Sequence, residues 1–180
     1  MGTIWLVRHG ETEWSRSGQH TGRTDIALTA YGEQQARALA PRLDRSFTLV
    51  LVSPLLRATR TAQLAGLAAD ADPDLAEWDY GPAEGLTTAE LSADSPWSVW
   101  DAVALGETVD EVAVRAQRVL DRLPQEGSSC LVSHGHLLRI LTAIYLGLSP
   151  RAGKHFVLRP AALAVLGREH DTPAVLEWGT

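Results

Sequence analysis

Thr3-Ile4-Trp5-Leu6-Val7-Arg8-His9-Gly10-Glu11-Thr12 opens the chain with a short, mostly apolar, β-prone run that stops abruptly at a cation, an imidazole and a glycine. An apolar run without alternation is the mark of a strand buried on both faces, as in a parallel sheet covered by helices. Two later segments repeat it. Leu49-Val50-Leu51-Val52 is followed by Ser53-Pro54-Leu55-Leu56-Arg57, and Cys130-Leu131-Val132 by Ser133-His134-Gly135-His136.

Between these strands the period changes. Ala36, Leu39, Ala40 and Leu43 recur at helical spacing, and Val109, Val112, Ala116, Val119, Leu120 and Leu123 do so more fully. Thr108 with Glu111, and Thr87 with Glu90, have the spacing of capping boxes. A further helix is predicted over 136–146, ended by Gly147 and Pro150, and residues 156–158 and 161–166 are candidates for further strands split by Pro160. Residues 82–96, rich in Gly, Ser, Thr and acidic side chains, read as a surface excursion with one short helix. Strands alternating with helices predict an α/β fold with helices on both faces of the sheet. No repeat or long linker divides the chain, so residues 1–180 are expected to form a single domain.

Composition agrees. The chain has 180 residues, 45% hydrophobic and 21% charged, within ordinary globular usage. The apolar run before Arg8 is too short for a signal peptide or a membrane span, and Cys130 is the only cysteine, which excludes intrachain disulfides. A reducing cytoplasm is the expected location, with Cys130 as a small core residue. A net charge of -6 and the lack of a basic run argue against nucleic acid, and nothing directs the chain to a membrane; an oligomer is compatible with the sequence.

In an open α/β sheet the carboxyl ends of parallel strands share an edge where ligands bind. That edge would gather Arg8, His9, Arg57 and His134. A neutral imidazole is a nucleophile, and guanidinium groups grip phosphate oxygens through paired hydrogen bonds, so phosphoryl transfer to His9 is the natural chemistry. The arginines would disfavour protonated His9 and balance charge in the transition state, a task His134 could share. Glu77, beside apolar Trp78, is the candidate proton donor to the leaving alkoxide, with Glu11, Glu13 and Glu84 as competitors. His134 and His136 form an H-x-H pair, but no third ligand is apparent, and neither a metal nor a cofactor is expected.

LVRHGETEWS, SPLLRATRTA, AEWDYGPAEG and VSHGH resemble, in order, the marks of the histidine phosphatase superfamily, the phosphoglycerate mutase-like enzymes. The resemblance implies a three-layer sandwich with a mixed, mostly parallel sheet. It also implies a phosphohistidine at His9, phosphate binding by Arg8, Arg57 and His134, a proton donor at Glu77, and no metal. ETEWSRSGQHTGRTDIALTAYGE, EWDYGPAEGLT, PWSVW and GET are similar to the branch that holds sedoheptulose-1,7-bisphosphatase and broad-specificity acid phosphatases. That likeness implies phosphate contacts from Ser53, Arg57 and Arg139 and a pocket lined by Thr21 and Gly22; Ser15, in the first of these blocks, and Gly135, in VSHGH, are further candidates for substrate or phosphate binding. Ser15 stands where phosphoglycerate mutases carry Asn, and Ala83 where many relatives carry an aromatic residue.

The implied activity is hydrolysis of small phosphate esters such as sugar phosphates and bisphosphates. One rival is mutase-type transfer back to the same carbon skeleton, for which the chain is short over the site. The other is a non-catalytic phosphate-binding module, which the retention of His9, Arg8, Arg57, Glu77 and His134 together argues against. His20 is expected at the pocket rim, His136 at a helix start, and His155 and His170 at the surface. Trp14, Trp78, Trp97 and Trp100 are expected to anchor core or loops.

Overall fold

The structure is a computed structural model and describes residues 2–102 and 106–180. The three apolar runs form β1 (Thr3–Arg8), β2 (Leu49–Val52) and β4 (Ser128–Ser133). With β3 (Asp70–Ala71), β5 (Leu163–Glu169) and β6 (Thr172–Trp178) they make one six-stranded sheet in the order β3-β2-β4-β1-β5-β6. The first four strands run parallel, while β5 joins β1, and β6 joins β5, antiparallel. In register, Arg8 lies beside Ser133 and Val52 beside Val132, so three strand ends meet at one edge.

Each central strand is buried on both sides. Ile4, Leu6 and Leu131 face a layer made by α6 (Val109–Arg122) and α7 (Gly135–Tyr145); Trp5, Val7, Cys130 and Val132 face α2 (Ala30–Ala38), α3 (Ala40–Leu43) and α4 (Leu56–Leu64). The result is the expected three-layer α/β sandwich. All six apolar positions read for α6 are buried, and Thr108 and Thr87 close real capping boxes, the latter on α5 (Thr88–Leu91). Burial pushes the Cys130 thiol up to about 12, as befits a core residue.

Three expectations need correction. The run from Ala36 to Leu43 is two helices, because Pro41 in the first turn of α3 has no N–H to continue α2. Residues 156–158 follow a short 3-10 helix (Pro150–His155) and form no strand; Leu158 instead tucks into the core with its carbonyl turned toward β1. The tail strands are β5, which starts two residues later than read, and β6, which pairs through a turn at His170, with φ of 52°. No helix among the described residues is long and apolar enough to cross a membrane.

The segment after β1 is held by backbone against backbone. A Cβ on Gly32, in α2, would lie 2.1 Å from the Glu11 carbonyl oxygen, and one on Gly10 would lie 2.4 Å from that of Gly32. Gly32→Ala should therefore cost about 1–3 kcal/mol of stability. Chemical denaturation measures it, and an unchanged midpoint would mean that the two segments separate freely.

Candidate active site

A cavity of about 180 Å³ opens at the carboxyl edge of the sheet, lined by Arg8, His9, Ser15, Thr21, Glu77, Gly135 and Arg139 together with Gly18, Gln19, His20, Tyr80 and His136. His9 follows β1 directly, and its N–H donates to Ser133 O, which ties it to the end of β4. Its Nδ1 lies 2.7 Å from Gly10 O. A carbonyl only accepts, so Nδ1 carries the proton and Nε2 holds a lone pair. Burial first, then Arg8 and Arg57, hold the His9 pKa well below its ordinary 6.5. The imidazole is neutral and nucleophilic.

The Arg8 guanidinium is gripped at one end, where Nη1 donates to Leu158 O at 2.6 Å. Its Nε is buried and has no acceptor among the described residues. An unsatisfied charged donor beside a nucleophile is an anion site in waiting. Gly135 makes room for it, since a Cβ there would crowd the Arg8 Cζ at 3.2 Å.

Arg57, Ser53, His134 and Gly22 lie behind this wall rather than on it. The buried Arg57 donates from Nη1 to Thr24 O and from Nη2 to Thr21 O and Gly22 O, which pins the 21–24 loop. Its Nε donates to His134 Nδ1 at 3.2 Å. Nδ1 of His134 is therefore the acceptor, so Nε2–H donates to Ser53 Oγ at 2.7 Å. This chain leaves the Ser53 hydroxyl hydrogen without an acceptor among the described residues. The His134 ring is 5.1 Å from that of His9, and burial and Arg57 lower its pKa far below 6.5.

Glu77 is the only carboxylate on the cavity wall among the described residues. Its Oε1 accepts from the Trp78 and Leu137 N–H groups and its Oε2 from that of His136. It thereby caps α7, whose N-cap residue, His134, offers no side-chain cap. Oε1 takes two donors and Oε2 one, so Oε2 keeps room for a proton. The competitors are occupied elsewhere. Glu84 accepts from the Gly22 and Thr24 N–H groups, Glu11 accepts from Thr29 Oγ1, and Glu13 pairs with Arg16.

Of the outer residues, Ser15 has its hydroxyl engaged with Thr12 in the capping box of α1 (Glu13–Ser17), and Thr21 donates to Gln19 O. Arg139 donates to Gly153 O and Lys154 O and lies over the Trp100 ring. His20 reaches the cavity between Tyr80 and Trp97, while His155 and His170 are exposed. His134 and His136 turn to different partners, Ser53 and Tyr80, so the H-x-H pair does not converge on one point.

Sequence reasoning missed Tyr80 and the buried Arg115. Arg115 pairs with Glu107 through Nε and Nη2 and donates to the carbonyls of Asp74, Ala76 and Glu77. Tyr80 sits in the matched EWDYGP block, whereas Arg115 looks like any solvent-facing position of α6.

A neutral histidine, a guanidinium donor without an acceptor among the described residues and one carboxylate at the carboxyl edge of an α/β sheet make a site fitted to a phosphate ester. Residues 4–180 match the histidine phosphatase superfamily (branch 1), and the chain belongs to that family. It is 38% identical over 176 residues to an acid phosphatase of Mycobacterium tuberculosis, covering 93% of this chain and 87% of the relative. It is 35% identical to sedoheptulose 1,7-bisphosphatase of Saccharomyces cerevisiae, over 79% of this chain and 67% of the relative. GpmB of Erwinia tasmaniensis, named for phosphoglycerate mutase, is 34% identical over 97% of this chain and 89% of its own. Among solved structures, one from Mycobacterium tuberculosis superposes with a TM-score of 0.93 at 35% identity, over 99% of this chain and 97% of that one.

Because the folded state holds His9 and His134 neutral while the unfolded chain protonates them near 6.5, acid favours unfolding. Stability should fall as pH drops below about 7, by up to about 1.4 kcal/mol per pH unit for each histidine. Urea melts at pH 7.5 and 5.5 measure this, and an equal or higher midpoint at pH 5.5 would contradict it.

Proposed function

We propose that the chain is a phosphatase of small phosphate monoesters, chiefly sugar phosphates and bisphosphates, acting through a phosphohistidine at His9. The observation that carries this reading is that His9, with its lone pair on Nε2, lines the cavity beside Arg8, whose Nε has no acceptor among the described residues. In the first step Nε2 forms the bond to phosphorus as the ester P–O bond breaks, and Glu77 Oε2 gives its proton to the departing alkoxide. In the second, water attacks the phosphohistidine, its proton passes to Glu77, and the N–P bond breaks to release phosphate. Arg8 binds equatorial oxygens directly. Arg57 acts through its charge and through the polarised chain to His134 and Ser53, which back the cavity wall. Arg139, Ser15, Thr21 and Gly135 line the pocket around the ester, and Gly22 backs it through its bond from Arg57.

The single buried thiol and the acidic net charge support a cytoplasmic enzyme on small-molecule esters, with no nucleic-acid or membrane partner. The similarity to GpmB keeps mutase-type transfer as the second reading. Incubation with 3-phosphoglycerate and catalytic 2,3-bisphosphoglycerate separates the two, since isomer without inorganic phosphate would favour the mutase. Glu77→Gln should reduce hydrolysis of sugar phosphates by about 10²–10⁴ and of p-nitrophenyl phosphate far less, because nitrophenolate leaves without a proton. Equal losses would remove Glu77 from the donor role. Rapid quenching should trap an acid-labile, alkali-stable phosphoryl adduct that His9→Ala abolishes.

A further inference from the structure

We infer that His136, its tautomer set by Tyr80, is a specificity-determining residue whose Nε2–H donates to a hydroxyl oxygen of the leaving alcohol and so selects short polyol phosphates over plain alkyl phosphates. The inference rests on the phosphatase reading and adds the chemistry of the group that leaves.

The Tyr80 hydroxyl lies 2.5 Å from His136 Nδ1, and this is its one hydrogen bond among the described residues. Tyr80 is 2% exposed, and Nδ1 is the one protein acceptor within hydrogen-bond reach of its hydroxyl among the described residues, which assigns the hydroxyl as the donor. With Nδ1 accepting, the ring proton is on Nε2. That nitrogen has no partner among the described residues and belongs to a half-buried side chain that lines the cavity. Burial, then Arg139, His20 and Arg8, hold the His136 pKa well below 6.5, so the ring is a neutral donor and not a cation. Trp100, Tyr80 and Trp78 surround the ring at centroid distances of 5.2, 5.7 and 6.1 Å and fix its direction before substrate arrives.

Position makes this donor a reader of the leaving group. The His136 main-chain N–H donates to Glu77 Oε2, the oxygen assigned to deliver the proton, so imidazole and departing alcohol share one side of the cavity. The cavity, about 180 Å³, displaces about six waters, room for a phosphoryl group on a short carbon chain. Arg139 and His20 line the same cavity as His136, so its wall is polar, which suits an oxygen-rich alcohol.

Glycerol 1-phosphate and n-propyl phosphate share a carbon skeleton and differ by two hydroxyls. The wild-type protein should prefer the glycerol ester by about tenfold in kcat/KM, the worth of one good hydrogen bond. Tyr80→Phe and His136→Leu should bring that ratio close to one, while His136→Gln, which returns an N–H near the Nε2 position, should restore most of it. Long-range ¹⁵N NMR should find His136 protonated on Nε2 in the wild type. A wild-type ratio near one, a ratio that survives both Tyr80→Phe and His136→Leu, or a proton on Nδ1 would overturn the inference. Failure to hydrolyse p-nitrophenyl phosphate would instead sink the phosphatase reading. In that case the same ester ratio, read as binding affinity by calorimetry, decides the role of His136.

Discussion

The site depends on Arg115. Its five N–H donors all have acceptors: two go to the Glu107 carboxylate and three to the carbonyls of Asp74, Ala76 and Glu77. A buried guanidinium is costly unless it is paired and hydrogen-bonded, and here one ion pair and one stretch of backbone do both. The stretch ends at Glu77, so the same contacts that satisfy the charge set the height of the carboxylate against the start of α7. Glu107 extends the brace, since its other contacts take the Asp79 N–H and the Trp78 indole. The proposed proton donor is thus placed by α6, an element with no residue on the cavity wall.

Electrostatics and packing then divide the histidines by task. His9 and His134 sit within reach of the same two arginines, and burial with that charge keeps both neutral. Their hydrogen bonds give them opposite tautomers: His9 carries its proton on Nδ1, bonded to a carbonyl, while His134 accepts from Arg57 there and carries its proton on Nε2. One ring presents a lone pair and the other a donor. Sequence position cannot distinguish these roles; the partner of each Nδ1 does.

Much of the architecture was legible because the signals were local. Three apolar runs ending in Arg8-His9, Ser53 and Ser133-His134 announced buried parallel strands and a shared polar edge. The spacing of α6 and its capping box left little freedom. What stayed hidden depended on distant partners. β6 escaped because its turn uses His170 and Asp171 in place of the Asn-Gly or Gly that marks a tight hairpin. Residues 156–158 looked β-prone, yet the Leu158 carbonyl is held by Arg8 and not by a neighbouring strand. Arg57 read as a phosphate ligand, and only the fold revealed that loop carbonyls take most of its donors. Arg115 gave no hint at all, because an arginine in an amphipathic helix is ordinarily solvated.

The bond from Arg8 to Leu158 joins residues 150 positions apart. On a ribosome β1 emerges well before the carbonyl that orients its terminal cation and before the strand β5 that flanks it. A nascent chain therefore carries His9 for some time without an organised guanidinium beside it, and the arrangement proposed for chemistry is assembled only after Leu158 has joined the fold.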